Sequence, residues 1–235
     1  MQMDIEKFCY FSKAALAILP VIGFQPDIIH CHDWQAGLVP VFLKTLFAGQ
    51  DFYKDMKTIM TIHNLRFQGM TGMDRLMDMT GLHSDLFTED KMGSLGCGNM
   101  LKGGITYADK VTTVSETYAQ EIQTDYFGEK LDALLRYRKE DLVGIVNGID
   151  YDAYNPATDQ QIACSYDPNT FLDGKQKNKV ALQQETGLPE NPDKFVIGII
   201  SRLTDQKGLD LIDRVMHEIC HEDIQFVVLG TGESR

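Results

Sequence analysis

Four short polar strings follow apolar, β-branched runs, and each carries side chains able to bind or polarise a ligand. They are Asp33-Trp34-Gln35 after DIIHCH, His63-Asn64 after KTIMTI, Asn147-Gly148-Ile149-Asp150 after LVGIV, and residues 201–208 (SRLTDQKG) after FVIGII. Ligands of open α/β sheets collect beyond the carboxyl ends of the strands, so these positions come first. In the last string Arg202 and Lys207 bracket a turn that opens a helix at Gly208. Two cations and the free N–H groups of a helix start would then converge on one anion. A diphosphate suits that set, and fixed cations aimed at a departing nucleoside diphosphate lower the barrier by about 3 kcal/mol per well-placed donor. The alternative is a solvated Arg and Lys around a turn that also holds Asp205.

His63-Asn64 offers a donor and an acceptor for sugar hydroxyls or a developing charge, against the plainer reading of a histidine hydrogen-bonded in a loop. Asp33-Trp34 pairs a carboxylate with an aromatic face, the combination that holds hydroxyls and stacks a pyranose. A Trp packed beneath a loop is the competing reading. His30, Cys31, His32 and Asp33 look metal-rich, yet strand alternation leaves only His30 and His32 on one face, an incomplete ligand set. Asp150-Tyr151-Asp152 spells D-x-D at the start of a polar stretch, where turn-forming Asp is expected. Gly230-Thr231-Gly232 after an apolar run is only a two-glycine match to a nucleotide-binding turn. Met70, Met73, Met77 and Met79 suggest an adaptable flap or ordinary packing. Lys102 would point toward a cleft or, by default, toward water.

The elements that must position these residues follow from hydrophobic period. Strands are expected at 27–32, 57–62, 110–114, 142–146, 195–200 and 224–229, with helices at 8–19, 36–48, 100–107, 116–123, 130–138, 175–186 and 209–221. Strand alternating with helix is the pattern of parallel strands joined by crossovers. Ser115 is placed to cap one helix, and Gly187 before Leu188-Pro189 to end another. A polar stretch without periodicity separates the two halves, so a first domain is expected over 1–146, a connector over 147–173 and a second domain over 174–235.

The chain has 235 residues, 43% of them hydrophobic, enough to bury a core. With 22 Lys and Arg against 34 Asp and Glu, the net charge of −12 lacks the basic footprint of a nucleic-acid binder. The five cysteines form no C-x-x-C pair, and they read as reduced thiols of an intracellular protein. The apolar segment 14–24 is too short to span a membrane and follows acidic residues rather than the basic region of a signal peptide.

Taken together, HCHDWQAGLVPVFLK, TIHNLRFQG, LKGGITYADKVTTVSETYAQEI, GIVNGIDYDAYNPATD and SRLTDQKGLDLI, in this order, closely resemble the bacterial glycogen synthase and plant starch synthase family. The resemblance implies an α/β protein of GT-B type with two Rossmann-like domains facing across a cleft. It also implies a retaining glucosyltransferase that moves glucose from ADP-glucose to the non-reducing end of an α-1,4-glucan, without a metal or other cofactor. Carried onto this sequence, Arg202 and Lys207 would neutralise the donor diphosphate and His63 would lie by the transferred glucose. Asn64 would stand close by, and Asp33, Trp34 and Asn147 would line the cleft. ADP rather than UDP rests on the resemblance alone. The expected partners are ADP-glucose and glycogen or starch, not nucleic acid or a membrane, in a bacterial cytoplasm or, for a plant protein, a plastid.

Departures accompany the matches. The family's Lys-x-Gly-Gly-Leu loop has no counterpart here, nor has the later Pro-, Cys- and Gly-rich loop whose Glu serves the donor glucose. Arg66 and Phe67 stand where Ala-Tyr is usual. The expectation is therefore two incomplete domains of a longer enzyme, inactive alone and with uncovered sheet edges. A non-catalytic glucan- or nucleotide-binding module is the alternative. A dinucleotide-dependent oxidoreductase lacks its G-x-G-x-x-G after a first strand.

Overall fold

The computed structural model describes residues 2–232. The chain divides into two compact units, Met1–Gly148 and Ile149–Arg235. The first runs α1 (Gln2–Ala17), β1 (Ile28–His32), α2 (Leu38–Lys44), β2 (Lys57–Ile62), β3 (Met70–Gly72), α3 (Met73–Thr80), β4 (Gly93–Ser94) and β5 (Cys97–Asn99). It continues through α4 (Met100–Tyr107), β6 (Lys110–Thr113), α5 (Glu116–Glu121), α6 (Asp132–Tyr137) and β7 (Leu142–Gly144).

A parallel sheet in the order β1-β2-β6-β7 carries this unit. Strand β2 lies inside it, and Met60 and Ile62 are wholly buried, as an apolar run covered on both faces requires. Edge strand β1 alternates instead, with Cys31 buried on one face and His30 and His32 exposed on the other. Helix α2 packs against both α1 and α4, so that Leu16, Leu38, Phe42, Leu101 and Ile105 belong to one buried cluster.

Ser115 caps α5 as expected, its Oγ accepting from Tyr118 N at 3.3 Å. Asn99 does the same for α4 through Lys102 N at 2.9 Å. At the other end of α4 the buried Arg138 guanidinium donates to the carbonyls of Ile105 and of Ala108, the latter at 2.8 Å, while its Nε donates to Asp141 at 3.2 Å.

Two helix expectations change. The helix expected from residue 8 starts at Gln2, and Ile5, Cys9, Ser12 and Leu16 supply the buried stripe at helical spacing. The helix expected over 36–48 divides into a 3₁₀ turn, Trp34–Ala36, and the shorter α2. Of the two readings of the Met-rich stretch the structure has packing: it forms β3 and α3, with Met73, Met77 and Met79 against the core, and β3 joins a small antiparallel sheet in the order β3-β5-β4.

In the second unit α7 (Phe171–Thr186) precedes β8 (Phe195–Ile200), α8 (Leu209–Ile219) and β9 (Ile224–Leu229). The strands pair in parallel from Phe195 opposite Ile224 to Ile200 opposite Leu229, with α8 as the crossover. Gly187 ends α7 in the left-handed conformation. The stretch 147–173 does not stand apart as a connector. From Ile149 it belongs to the second unit, and α7 begins within it, because Asn178 of α7 clamps Cys164 by accepting from its N–H at 3.0 Å and donating to its carbonyl at 2.6 Å. A buried amide pair, Gln183 Nε2 to Gln225 Oε1 at 2.7 Å, ties α7 to β9. Phe195, Ile200 and Leu229 remain more than half exposed on these strands. Among the described residues no helix is long and apolar enough to cross a membrane.

Candidate functional site

In the first unit the chemistry gathers beyond β1 and β2. Their parallel register sets His32 beside Thr61, so Asp33 and His63 leave the sheet as neighbours. Asp33 N–H continues the ladder to Thr61 O at 2.9 Å. The chain then reverses at Asp33 itself, with φ 54° and ψ −172°, into the 3₁₀ turn before α2. That conformation costs a non-glycine residue about 1–3 kcal/mol. It points the carboxylate sideways, where Oδ1 accepts from His63 N–H at 2.7 Å and Asn64 N–H at 3.4 Å. One oxygen of the carboxylate thus clamps the His63 loop.

His63 is exposed, and its Nε2 lies 2.9 Å from Nδ1 of His32. The His32 ring stands 4.2 Å from that of His30, whose Nε2 is 2.6 Å from Thr61 Oγ1. Burial, then the neighbouring charges of His30 and His63, hold His32 below the usual histidine range against the opposing pull of Asp33. Cys31 points to the core and burial pushes its thiol up to about 12, so the His30–Asp33 string does not assemble on one face. Asn64 Oδ1 accepts from Arg66 N–H at 3.1 Å, which folds the loop on itself.

Trp34 is packed beneath a loop, the plainer of its two readings. Its ring meets Phe8 of α1 edge-on at 5.1 Å, and the chain passes so close at Gly69, φ 62°, that a Cβ there would stand 2.4 Å from the indole. Only glycine fits. What remains of Trp34 lines a pocket of about 350 Å³ with Arg66, Phe67 and Gln68. Three further non-glycine residues at positive φ, Leu95, Glu129 and Lys130, border the same pocket.

Sequence reasoning passed over Gln68. Its amide donates to Leu65 O at 3.2 Å and Glu129 O at 2.9 Å, and its carbonyl accepts from Asn99 at 2.6 Å, so one side chain joins the loop, the pocket rim and the start of α4. Its signal was only a Gln between strand and flap. Lys102 points neither to a cleft nor to water: its ammonium is buried, donating to Glu89 O and Gly93 O at 2.6 Å each. Asn147 lies exposed beyond β7, apart from the strand-end cluster.

The second unit holds the cationic turn. After β8 the residues Ser201 and Leu203 extend the pairing with β9, through Ser201 N–H to Leu229 O at 3.1 Å and Leu203 N–H to Thr231 O at 2.8 Å. The Gly230-Thr231-Gly232 string therefore packs backbone to backbone beside Arg202. A Cβ at Gly230 would lie 2.0 Å from Ser201 O. A 3₁₀ turn, Asp205–Lys207, leads through Gly208 into α8, whose first amide groups have no side-chain cap. Arg202 and Lys207 are exposed and, among the described residues, make no ion pair. Thr204 Oγ1 is buried beside them without a hydrogen-bond partner. Asp150 is a turn former, its carboxylate accepting from the N–H groups of Asp152 and Ala153 at 3.0 Å.

Residues 1–137 match the model of the starch synthase catalytic domain. The chain is 61% identical over 232 residues to a glycogen synthase of Lachnospira eligens, and 55% identical to one of Lachnoclostridium phytofermentans; each alignment covers 99% of this chain and 48% of the relative. It also superposes on the catalytic domain of starch synthase IV from Arabidopsis thaliana bound to ADP and acarbose, with a TM-score of 0.90 and 37% identity over all of this chain and 48% of that one. The chain spans about half the length of these proteins.

Proposed function

Because the chain belongs to the starch synthase catalytic domain family, we infer that it serves the synthesis of glycogen or starch, by transfer of glucose from ADP-glucose to the non-reducing end of an α-1,4-glucan with retention of configuration. The observation that carries this reading is the placing of two exposed cations, Arg202 and Lys207, beside a helix start that has no side-chain cap. As the bond from glucose to the diphosphate breaks, negative charge grows on the departing ADP. Two fixed cations and oriented amide dipoles stabilise that charge more in the transition state than in the bound donor. In this reading they meet the diphosphate charge without a metal ion. His63 stands beside the transferred glucose, and Asp33 fixes its loop before substrate arrives. Trp34, Arg66 and Phe67 offer the glucan an aromatic and cationic surface. The ADP held by the Arabidopsis structure supports an adenine nucleotide donor.

The test places this 235-residue segment in the full length of the Lachnospira eligens relative and measures labelled glucose moved from ADP-glucose into glycogen. Lys207→Ala should lower kcat about 10²–10³-fold, the loss typical of one fixed donor to a developing anion, with unchanged circular dichroism. Near-normal turnover of the variant refutes the assignment. A parent that binds glycogen without transferring glucose returns the non-catalytic reading.

A further inference from the structure

We propose that His32 is a positioning residue for His63, fixing the orientation and the proton tautomer of that ring through the hydrogen bond between His32 Nδ1 and His63 Nε2. The two nitrogens are 2.9 Å apart, a distance that holds one proton. With none between them two lone pairs face each other, and with two the hydrogens collide. The proton states of the rings are therefore coupled, and the partnership decides whether the remaining nitrogen of His63, Nδ1, donates or accepts toward a ligand.

A positioning role needs a stationary partner, and His32 is held through its backbone and through its ring. Its backbone is part of β1, in register with Thr61. Its ring stacks at 4.2 Å and 35° on His30. His30 in turn is anchored to Thr61 Oγ1 at 2.6 Å, and Thr61 meets the Thr112 hydroxyl across the next strand pair, also at 2.6 Å. The groups facing His32 are His30, His63 and Asp33; burial and the two histidines outweigh Asp33 and disfavour a second proton on its ring, in keeping with a single shared proton. Asp33, the next residue, clamps the His63 backbone at 2.7 Å. Two consecutive residues of β1 and its end thus hold the main chain and the ring of one histidine on β2's exit, more constraint than a solvated loop histidine carries.

The inference rests on the reading of His63 as the residue beside the transferred glucose, but its test does not need transfer. Long-range proton–nitrogen correlation spectra of the ¹⁵N-histidine-labelled chain report which ring nitrogen of His63 carries the proton. The parent should show His63 in one dominant tautomer. H32N carries its amide on Cγ, where histidine carries Nδ1, and should keep that preference; H32Q sets its amide one bond further out and should lose it. A lost hydrogen bond corresponds to a change of about fivefold in the tautomer ratio. Both variants are polar replacements of an exposed ring, and their amide spectra verify the fold. An averaged His63 in the parent, or the same ratio in H32N and H32Q, overturns the proposal and leaves the transferase reading standing. A single tautomer in the parent together with full transferase activity of H63A in the full-length protein of the transfer assay overturns the transferase role of His63 instead.

Discussion

Replacing Asp33 by alanine and by glycine separates the strain at this position from the hydrogen bond it makes. At φ 54° and ψ −172° Asp33 occupies a region that only glycine enters freely. Both variants lose the bond to His63 N–H at 2.7 Å, so that term cancels between them. Alanine keeps the strain, about 2 kcal/mol at the middle of the usual range. Glycine removes it and instead costs about 0.7 kcal/mol through the freer unfolded chain. The difference leaves D33G more stable than D33A by about 1 kcal/mol, the reverse of the ordinary ranking of glycine and alanine. Urea unfolding followed by far-UV circular dichroism measures it directly. Placed in the full-length relative, both variants should fall equally in glucosyl transfer, because both release the His63 loop. A D33A protein as stable as D33G, or more so, refutes the claim that backbone strain is stored at this turn.

Arg138→Ala should destabilise the first unit by about 3 kcal/mol, since it uncaps the last turn of α4, and Arg138→Lys should recover less than half because lysine lacks the fork; urea melts of both variants check this. Gly37→Ala should cost at least about 2 kcal/mol in the same assay, because the new Cβ would stand 2.2 Å from Met100 O and neither backbone can yield without moving α2 from α4. Burial alone would raise Asp109, but the Thr58 N–H at 2.8 Å and the Lys44 ammonium at 3.2 Å outweigh it and hold the carboxyl below its ordinary range. Its contribution is then present above the unfolded pKa of about 3.9 and lost as pH falls through the lower folded value. D109N should accordingly unfold at lower urea near pH 7 and show a shallower acid limb below about pH 4.

The long elements were legible because their signals are local. Strands β2, β8 and β9 and helix α4 coincide with their expected spans, since β-branched runs and a capped helix carry their own boundaries. The small sheet was not, because strands of two or three residues are too short to show a period of two. The start of α1 was missed for another reason. Of the residues before Phe8 only Ile5 belongs to the buried stripe, and it stands among Asp4, Glu6 and Lys7, so one apolar residue showed no period there.

A polar side chain at a strand end can face a ligand or a neighbouring loop, and composition does not choose between them. The placing of Arg202 and Lys207 was legible because glycine at the start of an amphipathic run marks where α8 begins, and both residues precede it. Asp33, next to a Trp, suggested a sugar site, but its main chain turns through a positive φ and delivers the carboxylate to an N–H on the adjacent strand exit. Neither that dihedral nor the register of β1 on β2 is written in one dimension. The same register makes His32 the partner of His63, though the two lie 31 positions apart in sequence. Strand-end motifs thus indicate where chemistry gathers, whereas the division between groups that meet substrate and groups that hold them is set by strand pairing, and the tautomer of His63 is where that division becomes measurable.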